Sequence, residues 1–221
     1  MKKVVKFGGS SLASAEQFKK VGAIIRSDAG RRFVVPSAPG KRFDKDTKVT
    51  DMLYACYALA AEGKDFGREL RQIEQRYQEI IDGLELKLSL EKEFSLIREN
   101  FAGKAGKDYA ASRGEYLNGI VMANYLGYEF VDAAEVIVFC EDGSFDMDKT
   151  TEVLGERLKD MKNAVIPGFY GALPDGHVIT FSRGGSDITG SLVAAAIHAD
   201  IYETWTDVSG FLVTDPRIVV N

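Results

Sequence analysis

Two short glycine-containing loops near opposite ends of the chain carry charges suited to handling phosphate. The first is Lys6-Phe7-Gly8-Gly9-Ser10-Ser11 and the second is Arg183-Gly184-Gly185-Ser186-Asp187. Each follows an apolar, strand-like run and precedes a helix-like one. Glycine lets a backbone approach a ligand closely, and a helix N-terminus offers free N–H groups and partial positive charge. Lys6 at a strand end can set its ammonium against phosphate oxygens. Arg183 can grip a carboxylate with two parallel bonds, and Asp187 can orient Lys6 or act in the transfer itself. Together the loops point to phosphoryl transfer. Each also has a plainer reading: Gly8-Gly9 as an ordinary turn, and Ser186 or Asp187 as the cap of the helix that follows. Glu115 is open in the same way. It is either a carboxylate for a substrate ammonium or the partner of Ser112 in a capping box. Thr206-Asp207 closes a strand, where open α/β sheets bind ligands, yet Asp also commonly starts turns.

Other patterns carry no chemistry. The chain has no GxxxxGK[ST] and no GxGxxG. Asp65-Phe66-Gly67 lacks the companions of a protein kinase. His177 and His198 have no spacing for a metal or a triad, so no metal-ligating set is assigned.

The elements that must position these residues follow from periodicity. Val4–Phe7 reads as a strand, followed by a helix capped by Ser14 and Gln17 with Phe18, Val21 and Ile25 on one face. Phe33–Val35 is a buried strand ending in the turn Pro36–Gly40. Lys41–Val49 is polar and expected at the surface, and Thr50 is expected to cap a helix to about Glu62. From about 64 to 105 a charge-rich helical insertion interrupts the alternation, with a stripe of Leu70, Ile73, Tyr77, Ile80 and Ile81 and a break at Gly83. Ser112–Leu126 reads as a helix, Tyr128–Val131 and Val136–Phe139 as strands, and Asp148 as the cap of a helix to about Met161. Ala164–Pro167 is a strand, a hairpin is centred on Asp175-Gly176, a helix runs over Ile188–His198, and Ile201–Thr206 is a strand. This order implies an α/β fold whose mainly parallel sheet is covered on both faces.

The chain has 221 residues, 45% hydrophobic and 28% charged, with a formal net charge of −5. That supports one domain with a sizeable core and argues against nucleic acid as a partner. Two cysteines give no disulfide framework, and no apolar run is long enough to span a membrane, so a cytoplasmic protein is expected.

In combination these motifs resemble the aspartate kinases of the amino acid kinase fold family. The carrying residues are Lys6–Ser11, Val35-Pro36-Ser37-Ala38, Ser182–Asp187, Trp205–Gly210 and Thr214-Asp215-Pro216-Arg217, in order over essentially the whole chain. The resemblance implies a three-layer αβα sandwich and ATP-dependent phosphorylation of the β-carboxylate of L-aspartate, with Mg²⁺. It implies that Lys6 stabilises the transferring phosphoryl while Gly8, Gly9 and Ser10 approach the phosphates. Arg183 and Ser186, with Gly184 and Gly185, would hold the substrate carboxylate, with Ser37, Thr50 and Glu115 nearby. Asp187 would organise the centre. Thr206, Asp207, Leu212 and Arg217 would lie on the nucleotide side, Leu212 at a position often occupied by Tyr. Ser182 stands where the family often has Gly, and Ser10-Ser11 where Thr-Ser is common. Members continue past the Asp-Pro-Arg segment into the rest of the nucleotide region and regulatory ACT domains. The resemblance therefore implies an N-terminal catalytic portion, truncated at its C-terminal end and without ACT domains, from a homo-oligomeric parent. The alternatives are a kinase of acetylglutamate or glutamate, or an aspartate-binding fragment that does not turn over.

Overall fold

Side chains on successive strand residues point to opposite faces, and here both faces are buried. Strand β1 (Lys3–Phe7) sends Val5 and Phe7 into one apolar cluster and Val4 into another. Strand β2 (Arg31–Pro36) divides Val34 from Phe33 and Val35 in the same way. The result is helix layers on both sides of a mainly parallel sheet, as expected. The computed structural model describes residues 1–182 and 184–206. With β3 (Glu129–Phe130), β4 (Ala164–Val165) and β7 (Ile201–Trp205), the sheet order is β3-β4-β2-β1-β7, every pairing parallel. The chain turns from β1 to β2 on one side and returns to β7 on the other. The strand ends at Phe7, Pro36 and Trp205 therefore flank a point where the order reverses, the usual place for a ligand crevice.

One layer holds α1 (Ala15–Arg26), α2 (Val49–Ala61), α3 (Gly67–Gly83), α4 (Glu91–Ala102) and α5 (Lys107–Leu126). The other holds α6 (Ala133–Val136), α7 (Met147–Leu158) and α8 (Gly185–Ala196). The expected hairpin is present as β5 (Tyr170–Ala172) paired antiparallel with β6 (Val178–Thr180). Ser14 caps α1 as expected, its hydroxyl accepting from the Gln17 N–H at 3.4 Å.

Several local expectations are corrected. Thr50 lies inside α2, whose N-cap position is Lys48. Helix α5 begins five residues before Ser112, so Ser112 and Glu115 form no capping box. The Ser112 hydroxyl donates back to the Tyr109 carbonyl at 2.7 Å. Asp146 rather than Asp148 caps α7, accepting from the Lys149 N–H at 2.9 Å. The strand expected at Val136–Phe139 is the end of α6 followed by isolated bridges at Val138 and Phe139. The loop 41–48 is not wholly a surface feature, because the Asp46 side chain is only 9% exposed.

Candidate active site

Lys6 shares its sheet face with Val4, the face that α8 covers, and this parity sets its partner. Its Nζ lies 3.0 Å from Asp187 Oδ1, in the first turn of α8. The Lys6 side chain is 12% exposed and that of Asp187 is 53% exposed, so the pair stands at the rim of the fold and open to a ligand. The expected pairing of the two loops is therefore present.

The first loop leaves β1 through a four-residue 3-10 turn, Gly9–Leu12, before α1 begins, so no long helix starts directly at the loop. Buried Leu12 anchors that turn. Backbone bonds fix the loop against its neighbours: the Gly8 N–H donates to the Trp205 carbonyl at 3.3 Å, and the Gly40 N–H to the Gly9 carbonyl at 2.8 Å. A Cβ on Gly9 would meet the Ala38 carbonyl oxygen at 2.7 Å, and one on Gly40 would meet the Gly9 carbonyl carbon at 2.7 Å. Two backbones touch here, which is why both positions are glycine.

The second loop is set by the segment after β4. Gly184 occupies the N-cap of α8 at φ 61°, a left-handed conformation open to glycine without strain. Neither Ser186 nor Asp187 is that cap; Asp187 instead donates its own N–H to the Gly184 carbonyl at 2.9 Å. The Thr189 hydroxyl accepts from the Phe169 N–H at 3.0 Å, tying α8 to the chain just before β5. Arg183, Asp207, Leu212 and Arg217 lie outside the described residues.

Ser37 joins the two halves. Its N–H donates to the Phe7 carbonyl at 3.0 Å, its hydroxyl reaches the Ser186 hydroxyl at 3.3 Å, and its carbonyl accepts from Asn118 Nδ2 at 2.6 Å. Helix α5 approaches at Gly114, where a Cβ would meet the Ala38 methyl at 2.8 Å. That contact brings Glu115 to the centre, 6% exposed. Burial pushes its carboxyl up to about 8, against the opposing pulls of the Ala38 N–H, the Lys6 charge and the Ser186 hydroxyl. Among the described residues its buried Oε2 has no hydrogen-bond partner. A buried carboxylate oxygen left unpaired is costly and calls for a donor.

These groups open onto one cavity of about 670 Å³. Lys6, Gly8, Gly9, Ser10, Ser37, Thr50, Glu115 and Thr206 are among the residues that line it. Asp187 and Ser186 each contact a residue that lines it, Lys6 and Ser37, while Gly184 and Gly185 are not among its lining residues. The motifs do not announce Lys48, Lys41 or Phe43, which also line the cavity, nor Asn118, which holds Ser37. The basic residues of loop 41–48 are a signal for Lys41 and Lys48, and no local pattern marks Asn118. The arrangement provides cations and backbone groups for phosphate at one end and a buried carboxylate for a cationic group at the other.

Comparison with known proteins gives a consistent picture. The model of the amino acid kinase family matches residues 1–221. "Aspartokinase 3" of Bacillus subtilis is 39% identical over 234 residues, covering 99% of this chain and 51% of that protein. The solved aspartate kinase of Clostridium acetobutylicum is 53% identical with a TM-score of 0.93, covering 100% of this chain and 51% of that one. Escherichia coli aspartokinase III, solved in complex with aspartate and ADP, is 28% identical with a TM-score of 0.80, covering 99% and 52%. The chain spans about half the length of the relatives it matches.

Proposed function

Because the chain belongs to the amino acid kinase family, we propose that it supplies the catalytic part of an aspartate kinase. The reaction is transfer of the γ-phosphoryl of ATP to the β-carboxylate of L-aspartate. A carboxylate oxygen forms a bond to γ-phosphorus as the bond to the β-phosphate bridging oxygen breaks, giving 4-phospho-L-aspartate and ADP. The shared name and substrate of the relatives support this acceptor.

The single observation that carries the reading is Glu115. Its buried oxygen, without a partner among the described residues, belongs to a residue lining the cavity that Lys6 and the first glycine loop also line. A free α-ammonium meets that carboxylate with an opposite charge, whereas an N-acylated substrate offers only one neutral N–H. This favours a free amino acid over acetylglutamate.

The chemistry needs positioning more than proton transfer. The attacking carboxylate is ionised at neutral pH, so no general base is required. Two anions must be held together, and the residues present address that. Lys6, kept in place by Asp187, faces the charge of the transferring phosphoryl. Gly8, Gly9 and Ser10 meet the phosphates with backbone and hydroxyl groups. Ser37, Thr50 and Ser186 orient the amino acid, with Arg183 on its carboxylate. Thr206 lines the cavity, and the family resemblance assigns Asp207, Leu212 and Arg217 to the nucleotide side with it.

Among the described residues, no three His, Cys, Asp or Glu side chains gather as a metal-ligating group. Mg²⁺ needs no such group, since it commonly binds phosphate oxygens with only one or two protein carboxylates. Asp187, half exposed beside Lys6, is the carboxylate that would hold it, and the ion would neutralise charge on the phosphates.

The test is ligand-induced thermal stabilisation of this chain. L-Aspartate should raise the melting temperature, and N-acetyl-L-aspartate, which lacks the ammonium, should not. Equal stabilisation by both would remove Glu115 from the role given to it.

A further inference from the structure

We propose that Arg76, from the helical insertion, is a positioning residue that clamps three walls of the phosphate and substrate cavity at once; this rests on the kinase reading given above. Arg76 lies on the buried stripe of α3 beside Ile73 and Tyr77, and its side chain is 3% exposed. A charge on an apolar stripe is costly unless paired and hydrogen-bonded. The partners of Arg76 come from three separate segments. Nη1 lies 2.7 Å from Asp46 Oδ2, and Nη2 donates to the Gly40 carbonyl at 2.7 Å and the Ala13 carbonyl at 3.1 Å.

Each partner borders the site. Ala13 follows the 3-10 turn that carries Gly9 and Ser10. Gly40 touches Gly9 backbone to backbone, so a shift of Gly40 passes to the phosphate loop without a flexible side chain between them. Asp46 anchors the loop 41–48, from which Lys41, Phe43 and Lys48 line the cavity.

Asp46 is doubly held. Arg42 grips it through Nε at 2.8 Å and Nη2 at 3.1 Å, and the Arg42 N–H donates to it at 2.9 Å. Bonds from the Arg42 side chain and backbone, together with Arg76, keep the Asp46 carboxyl well below the usual carboxylate range. Arg42 sits in the same loop as Asp46 and is 35% exposed, so it rigidifies the loop internally. Arg76 is the buried member that ties the loop to α3, beneath the more exposed contact of Arg42 with Glu79. A buried ion pair of this kind is weak grounds for stability by itself and better read as fixing one arrangement over others. Glu79 also faces the loop, 3.0 Å from Arg42, and is half exposed.

Two measurements test the clamp on Arg76→Met, Arg76→Lys and Asp46→Asn. The first is limited trypsin digestion of this chain, since the loop carries Lys41, Arg42, Lys45 and Lys48 as cleavage sites. Cleavage within 41–48 should accelerate at least tenfold in Arg76→Met and Asp46→Asn, and less in Arg76→Lys. The second is steady-state kinetics of the protein. There kcat/KM for Mg-ATP should fall at least tenfold in the same two variants and recover in part in Arg76→Lys.

Unchanged cleavage in folded variants overturns the proposal. So does faster cleavage with kcat and both KM values within twofold of the parent, since that is a structural role alone. If Arg76→Met does not fold, Asp46→Asn decides by the same two criteria. If the parent enzyme turns over no amino acid, the kinase reading fails, and cleavage, which needs no turnover, still judges the clamp.

Discussion

Lys6 Nζ and Asp187 Oδ1 stand 3.0 Å apart, joining the end of the first strand to the first turn of a helix about 180 positions later. The pair puts a cation where β1 ends and holds it with a carboxylate that is itself half exposed. If Lys6 meets charge that develops on the transferring phosphoryl, its loss should fall on the chemical step. Lys6→Met should lower kcat by roughly 10²–10³-fold, in the range for removing one preorganised donor. The KM for aspartate should change little. Asp187→Asn should give a smaller loss of the same kind. Steady-state kinetics with each substrate varied in turn checks both.

Glu115 predicts a pH dependence of aspartate use. Its carboxyl titrates near 8 in the unliganded protein, so at lower pH the group is mostly neutral and cannot pair with an ammonium. The KM for aspartate should therefore fall as pH rises from 6 to 8, by roughly tenfold or more if each pH unit below 8 depletes the charged form in proportion. Glu115→Gln should abolish that dependence and hold KM high throughout. A KM that is flat over this range in the parent enzyme contradicts the role.

The same group makes a stability prediction whose sign is unusual for a carboxylate. Its ordinary value is 4.5 and folding raises it. Between those values the unfolded chain has released its proton while the folded one keeps it, so stability declines as pH rises from about 4.5 to about 8. Glu115→Gln removes the penalty. In the absence of ligand it should raise the melting temperature by roughly 5 °C at pH 8.5 and hardly at all at pH 4.5. Thermal scans at the two pH values check this.

Helix α7 separates two neighbouring acids. Asp146 caps it through the Lys149 N–H, while Asp148 is the second residue of the helix. Asp146→Ala should cost about 1 kcal/mol, typical of a lost cap. Asp148→Ala should cost well under half of that, since only its interaction with the helix dipole is lost. Chemical denaturation of the two variants distinguishes them.

What the sequence made legible was local. Ser14 and Gln17 stand directly before an apolar stripe, so the start of α1 was readable, and Gly8-Gly9 and Gly184-Gly185 mark their loops by composition. The start of α5 was not. From Ala110 to Ala123 that helix is buried on nearly every side, so it shows no stripe against which to place its first turn. Ser112 and Glu115 then mimic a cap in mid-helix. The run Val136–Phe139 is apolar because α6 and the bridge segment both pack into the core, and short apolar runs do not distinguish a strand from other buried structure. Site residues outside the motifs were invisible for a related reason. Asn118 reaches Ser37 across 81 positions and Arg76 reaches Gly40 across 36, and no local pattern encodes such contacts.

The most direct test of the central claim is ADP release from Mg-ATP by the protein, followed with L-aspartate, L-glutamate and N-acetyl-L-glutamate in turn. The site described here predicts release that depends on L-aspartate and is lost in Lys6→Met. Release with N-acetyl-L-glutamate but not with L-aspartate would contradict it, because that acceptor has no ammonium to meet Glu115.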